Sequence, residues 1–201
     1  MKKFDYAEGA TPLHDYSGLK LKWVRSIDDL NMVEAENISL AQKKYLSGKI
    51  TNLSLWFNVS TLKEIHRSMF CNVWDWAGKF RRSITSIGIK PYLIQIELSK
   101  LCNDVNAWSN EKIALTPLEQ AARIHHRLVF IHPFENGNGR FARLVGDRYL
   151  VAIGGAHPNW PHLQNSNKIR QAYIQSLKDA DLGDYKALIE FIKKFGALPK
   201  K

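Results

Sequence analysis

The chain has 201 residues, with 29 Lys and Arg against 19 Asp and Glu, a formal net charge of +10 at pH 7 and a pI near 9.6. Hydrophobic residues make up 45% and charged residues 24%, which is typical of a folded domain and excludes a disordered basic tail. Apolar runs such as 128–131 are much shorter than the ~20 residues of a membrane-spanning helix. We expect one domain with its own core and no membrane span.

The N-terminal residues and the cysteines indicate a cellular compartment. The first residues include Lys2 and Lys3 but no apolar signal core follows them. Cys71 and Cys102 have neither a Cys-x-x-Cys nor a Cys/His spacing, so no disulfide framework or zinc site is expected. These features predict a cytoplasmic protein.

Helical periodicity dominates the predicted elements. In chain order, helices are predicted over 27–47, about 61–72, around 98–108, 117–131, around 141–153, around 169–177 and from 183 to 195. Capping-box spacings at Thr61 and at Thr116 mark the starts of two of them. The β-branched stretch from Lys79 to Ile96, interrupted by Gly88, predicts a hairpin. The fold class is therefore mainly α with one small β element.

The residues that indicate a chemical function lie together in the segment 131–143, which joins two predicted helices. Gly137 and Gly139 flank Asn138 just before a helix, so backbone N–H groups converge at its positive N-terminus as an anion-binding turn. Arg140 and a second arginine three residues later lie on one helix face and can bind further phosphate oxygens. His132 has a side chain suited to removing a proton from a hydroxyl. The pattern indicates phosphate or nucleotide transfer.

The run His-Pro-Phe-x-x-Gly-Asn-Gly-Arg-x-x-Arg over 132–143 resembles the signature of Fic proteins, most of which transfer AMP from ATP to protein hydroxyls. The resemblance covers about 55–195 and includes the Trp-Ala-Gly-Lys-Phe-Arg segment at 76–81. The stretches 9–13 and 34–38 look like the subgroup called mobile mystery protein B. The resemblance implies a Fic-type helical bundle over 55–201, with a β-hairpin flap beside the active-site loop and an N-terminal extension over 1–54.

The same resemblance assigns roles to individual residues. It implies that His132 is the general base for a Ser, Thr or Tyr hydroxyl of a protein target, and that Pro133 and Phe134 hold the loop. ATP phosphates would bind the remaining motif residues: Gly137, Asn138, Gly139, Arg140 and Arg143. The target segment would dock on flap residues Arg82, Ile84, Thr85, Ser86 and Ile87. Self-modification is among the expected reactions.

Two positions depart from the family pattern. Asn136 stands where Asp or Glu usually binds Mg²⁺, so the amide is a weak ligand and both metal affinity and leaving-group stabilisation should fall. Glu36 fits the end of the family's inhibitory pattern, although Met32 replaces its Ser or Thr. We expect Glu36 to pair with Arg143 and repress the enzyme from the helix at about 27–47.

Other interpretations of the sequence remain open. One is a catalytically weak nucleotide-binding regulator, and another is a Fic enzyme with a different nucleotide-linked donor. The net charge invites nucleic-acid binding, but no motif supports it. Structural or solvated roles are expected for His125 and His126, and packing in the core or at its rim for Trp160. Solvation is expected for the basic residues 79, 81 and 82.

Overall fold

A computed structural model describes residues 16–47, 52–110, 115–160 and 167–195, so the segment 9–13 lies outside the described residues. A 3₁₀ turn at Pro91–Leu93 precedes the fourth of the α-helices. The helices are α1 Ile27–Leu46, α2 Leu53–Trp56, α3 Val59–Phe70, α4 Ile94–Asn110, α5 Pro117–Ile131, α6 Asn138–Ala152, α7 Asn167–Asp181 and α8 Lys186–Lys194.

Local signals explain where α5 and α6 begin and end. Thr116 and Glu119 form a reciprocal capping box, so α5 begins at the predicted residue. His132 follows the last residue of α5 in the left-handed conformation, with φ 51°. Gly137 precedes α6 with φ 77°. The two helices are therefore joined by a short loop with a left-handed residue at each end.

The start of α3 differs from its prediction. Asn58 caps this helix, because its side chain accepts a hydrogen bond of 2.9 Å from the Thr61 amide. The predicted start at Thr61, based on a capping box, is wrong. An asparagine three residues earlier satisfies the free N–H groups of the first turn.

The core places the α5–α6 loop at the centre of the bundle. α5 packs against α4 and α6, while α1 packs against α3 and α6, and α7 packs against α8. The main cluster includes the fully buried side chains Phe57, Ile65, Phe70, Leu98, Val105, Leu128, Phe141 and Val145. A smaller cluster of Ala122, Ala180, Leu188 and Ile192 fixes α8 onto α5. None of the described helices combines the length and apolarity needed to cross a membrane.

The predicted flap hairpin is not confirmed. Among the described residues, an isolated antiparallel bridge joins Leu19 and Trp74, and it does not include this segment. Residues 79–90 form bends and irregular backbone, and α4 already begins at Ile94, because Ile94 and Leu98 bury one helical face. The structure thus confirms a mainly α fold with an irregular loop, here called the flap, at residues 79–90.

Candidate functional site

The loop between α5 and α6 is closed by side chains within it. The Asn138 side chain accepts from the Phe134 amide at 2.9 Å and donates to the Phe134 carbonyl at 2.8 Å. Phe134 is fully buried and stacks on the His66 ring with centroids 3.6 Å apart. The Asn138 side chain is thereby committed to the loop, and only its backbone N–H is placed to bind an anion.

His66 of α3 supports this loop and was not singled out from the sequence. Its Nδ1 accepts from the Gly78 amide at 3.0 Å, so Nε2 carries the hydrogen and donates to the Asn136 carbonyl at 3.1 Å. Burial lowers the pKa of His66 to about 3, which keeps the ring neutral. A lone histidine on an apolar helix face carries no signal that distinguishes it from an ordinary core residue.

His132 is oriented as a base. Its Nδ1 lies 3.3 Å from the Val129 carbonyl, so this nitrogen carries the hydrogen and Nε2 keeps its lone pair. The side chain is buried, and this burial, opposed by the Val129 bond and reinforced by Arg81, lowers the pKa of His132 to about 4. The imidazole is therefore neutral at physiological pH, and the lone pair of its ring lies on Nε2.

The N-terminus of α6 faces the same loop without a side-chain cap. The first helical bond runs from the Phe141 amide to the Gly137 carbonyl at 2.9 Å, which leaves the preceding N–H groups for a ligand. Gly137 has positive φ, and a Cβ there would collide with the Phe70 ring. Only glycine fits this turn, where the sequence predicts that phosphate binds.

Arg140, in the first turn of α6, is held by an acid from α1. Its Nη1 lies 2.5 Å from Oε2 of Glu34, and Trp74 donates to the other oxygen of Glu34 at 2.7 Å. The Arg140 guanidinium also lies 5.0 Å from the centroid of the Phe70 ring. A buried acid therefore neutralises a predicted phosphate-binding arginine.

The predicted ion pair between Glu36 and Arg143 is not formed. Glu36 lies on the exposed face of α1, whereas Glu34 and Asn37 are buried. Two residues along a helix differ by about 200° in direction, so these two glutamates cannot face the site together. The contact with the motif belongs to Glu34, and its partner is Arg140.

Arg143 instead lies in an aromatic box. Its guanidinium carbon is 5.7 Å from the ring centroid of Trp160 and 6.0 Å from that of Tyr173. The Tyr173 hydroxyl is 2.9 Å from His125 Nε2. Burial lowers the pKa of Arg143. A Cβ built on Gly139 would lie 4.0 Å from both Arg143 Nη1 and the Tyr173 hydroxyl, so these groups border the anion-binding turn.

A carboxylate lies behind this box. Trp160 donates to the two oxygens of Asp147 at 2.9 and 3.0 Å, and burial raises the pKa of Asp147 to about 7. Asp147 follows Arg143 by one helical turn. Tyr173 and Trp160 are separated from the motif in sequence, so the motif alone did not reveal them as its neighbours.

The residues around Asn136 do not fit a protein-bound Mg²⁺ in this conformation. The Asn136 side-chain oxygen accepts from the Gly137 amide at 2.5 Å and from Arg140 at 3.4 Å. Glu135 is turned to the flap, where it accepts from the Ser83 hydroxyl at 2.9 Å. Among the described residues, no group of three or more His, Cys, Asp or Glu side chains could hold a metal ion.

The flap presents exposed side chains beside the loop. Arg82, Ile84, Ser86 and Ile87 are exposed and Thr85 is half-buried, with Ile84 86% exposed. Arg81, expected to be solvated, is instead 2% exposed. Its guanidinium donates to main-chain carbonyls, which explains how a cation is buried here.

Comparison with known families identifies this architecture. Residues 56–150 match the Fic/DOC family, so the chain carries a Fic domain. A protein adenylyltransferase Fic from Aedes aegypti is 31% identical over 171 residues, which cover 84% of this chain and 33% of the relative. Protein adenylyltransferase fic-1 from Caenorhabditis elegans is 30% identical over 144 residues, covering 68% and 27%. The chain spans about a third of the length of the first of these curated relatives and somewhat less of the second.

Solved structures share the fold. Fic-1 (residues 134–508) from C. elegans superposes with a TM-score of 0.64 at 26% identity, covering 87% of this chain and 51% of that one. The N-terminal Fic domain of a cell filamentation protein from Bartonella quintana superposes with a TM-score of 0.69 at 20% identity, covering 98% and 92%.

Proposed function

We propose that this protein is a Fic-type protein adenylyltransferase that transfers AMP from ATP to a Ser, Thr or Tyr hydroxyl of a protein target in the cytoplasm. The observation that carries the proposal is the neutral His132, whose Nδ1 is held by the Val129 carbonyl, in the same short loop as the uncapped N-terminus of α6. Relatives at about 30% identity bear this activity in their names. The chain's own hydroxyls are candidate acceptors as well.

The reaction follows from this geometry. The target hydroxyl gives its proton to Nε2 of His132 as its oxygen attacks the α-phosphorus of ATP. The bond from that phosphorus to the bridging oxygen breaks, and pyrophosphate leaves with the electron pair. The N–H groups at the start of α6, together with Arg140 and Arg143, stabilise the charge that develops on the phosphate oxygens. No step is assigned to Mg²⁺, because Asn136 is engaged within the turn.

We further propose that α1 regulates this site through Glu34. A phosphate group and the Glu34 carboxylate are both anions that bind the same guanidinium. Because Glu34 already holds Arg140, ATP must displace it or bind without that arginine. Glu34 therefore takes the inhibitory role that the sequence pattern suggested for Glu36.

A second candidate function is a nucleotide-binding regulator without significant transfer. The observation that favours it is Asn136, which brings no charge and whose amide oxygen is already used. This candidate predicts ATP binding without adenylylated product.

Labelled ATP distinguishes these functions. The protein is incubated with a protein extract whose own kinases have been heat-inactivated and with ATP labelled at either the α- or the γ-phosphate. Adenylyl transfer predicts label in protein only from the α-position and its loss in His132→Ala. The exposed His157 provides a matched control, and His157→Ala should transfer as well as the wild type. Nucleotide binding without protein label supports the regulator, and label from the γ-position contradicts both.

A further inference from the structure

Arg81 connects the flap to the end of α5 through main-chain carbonyls. Its Nε donates to the His132 carbonyl at 2.6 Å, and its Nη2 is 3.5 Å from the carbonyl of Ile131. On the flap side, Nη1 donates to Ser83 at 2.8 Å and Nη2 donates to Ile89. One rigid guanidinium thus bonds two carbonyls at the C-terminus of α5 and two in the flap.

Physical chemistry explains why a cation is stable there. The last carbonyls of a helix have no intrahelical partners and form the negative end of its dipole. Arg81 satisfies the carbonyl of Ile131, the last residue of α5, and that of His132 beside it. A lysine has one nitrogen and cannot bond all four carbonyls in this planar arrangement.

The flap lies directly on His132. A Cβ built on Gly88 would lie 2.5 Å from the His132 Cβ and 2.9 Å from Arg81 Nη2. Gly88 also has φ +100°, a conformation that other residues rarely adopt. The spacing between flap and histidine is therefore set by a glycine and by the arginine next to it.

We propose that Arg81 is a positioning residue that holds the His132 main chain and the flap at a fixed separation, so that a target segment on the flap presents its hydroxyl to Nε2 of His132. The catalytic role of Arg81 in this inference rests on the proposed function. The geometry it describes is testable without catalysis. Glu135, which accepts from the Ser83 hydroxyl, supports the same flap from the other side of the loop.

The Arg81 charge also acts on the histidine. Together with burial it lowers the pKa of His132, while the Val129 carbonyl opposes the shift. Burial lowers the pKa of Arg81, and Glu135, the acid that faces it, opposes this shift. Loss of the guanidinium should release the flap and let His132 bind a proton more readily.

NMR titration of the histidine side chains in the full chain tests this directly. In Arg81→Met, which keeps a long side chain without donors, we expect the His132 pKa to rise and hydrogen exchange of amides 83–89 to increase. Arg81→Lys keeps the charge and should shift this pKa less, while hydrogen exchange of amides 83–89 still increases. The buried rings of His66 and His125 are internal references and should not shift. The exposed Arg67 gives the control variant Arg67→Met, in which nothing should change.

Two results would overturn the proposal. One is an Arg81→Met protein with an unchanged His132 pKa and unchanged exchange in the flap. The other is an equal rise in the pKa values of all three histidines, which would show general loosening of the fold. If Arg81→Met does not fold, hydrogen exchange of amides 83–89 is measured in Arg81→Lys and Gly88→Ala instead. Faster exchange than in the wild type supports the proposal, and unchanged exchange overturns it. Absence of AMP transfer in the wild type would contradict the proposed function but would leave these structural results intact.

Discussion

His132 shows how a neutral base is made from ordinary contacts. The backbone leaves α5 in a left-handed conformation, which brings the ring back towards the Val129 carbonyl and fixes the tautomer. Burial then disfavours the imidazolium. The sequence was sufficient to find this residue, because its partners in the motif are contiguous. It could not reveal Arg81 or His66, whose contacts with the loop depend on tertiary packing.

Asn136 offers a prediction at this scale. Asn136→Asp introduces a carboxylate where the family usually has one, which should strengthen metal binding at the phosphates. We expect AMP transfer to rise by about tenfold, a change of ~1.4 kcal/mol in the activation free energy. Initial rates with labelled ATP across a range of Mg²⁺ concentrations would measure it. An unchanged or lower rate would contradict this explanation of the substitution.

Among the elements, α5 has the bounds that the sequence predicts, whereas the flap does not form the predicted hairpin. The Thr116 box and Pro117 are local signals that act within one turn, so they determine the start of α5 without tertiary contacts. The carbonyls of the β-branched flap bond to the Arg81 side chain, so the β-branched composition of this stretch was misleading. The face of α1 that turns inward is set by packing against α3 and α6, which the sequence does not show. For this reason Glu36 was predicted to contact the motif, whereas Glu34 is the residue that does so.

The α1 helix provides a second prediction. Glu34→Gln removes the charge that competes for Arg140 while keeping an acceptor for Trp74. We expect ATP affinity to rise by about fivefold to tenfold, since a partly buried charge pair contributes of the order of 1 kcal/mol. Calorimetric titration with ATP would measure this change. Glu36→Gln is the matched control on the exposed face and should leave the affinity unchanged; equal effects of the two substitutions would refute the role of Glu34.

For the whole molecule, buried neutral histidines link stability to pH. Burial lowers the pKa values of His66 and His125 to about 3 and that of His132 to about 4, against an ordinary value of 6.5. Below pH 6.5 the unfolded chain therefore binds protons that the folded protein does not. Each histidine lowers the free energy of unfolding by about 1.4 kcal/mol per pH unit as the pH falls. Asp147, whose pKa is raised to about 7, acts in the opposite direction and offsets one of them.

We therefore expect urea denaturation to show a loss of about 3 kcal/mol per pH unit between pH 6.5 and 5, the effect of two histidines. His66→Phe keeps an aromatic ring against Phe134 and removes one titrating group, so it should halve this slope. His157→Ala changes only an exposed histidine and should leave it unaltered. A slope close to zero in the wild type would show that these rings are protonated in the folded protein.

The structure shows where some of the basic residues behind the net charge of +10 lie. Arg140 and Arg143 border the predicted anion-binding turn, and Arg81 binds carbonyls in the interior.

The central claim is that these groups and His132 transfer AMP. Its most direct test is intact-mass spectrometry of Glu34→Gln, with and without His132→Ala, after incubation with ATP and Mg²⁺. The account predicts the addition of one adenylyl group that disappears with His132→Ala. An adduct that persists without His132 would contradict it, and so would the absence both of any adduct in Glu34→Gln and of α-phosphate label in proteins of the extract.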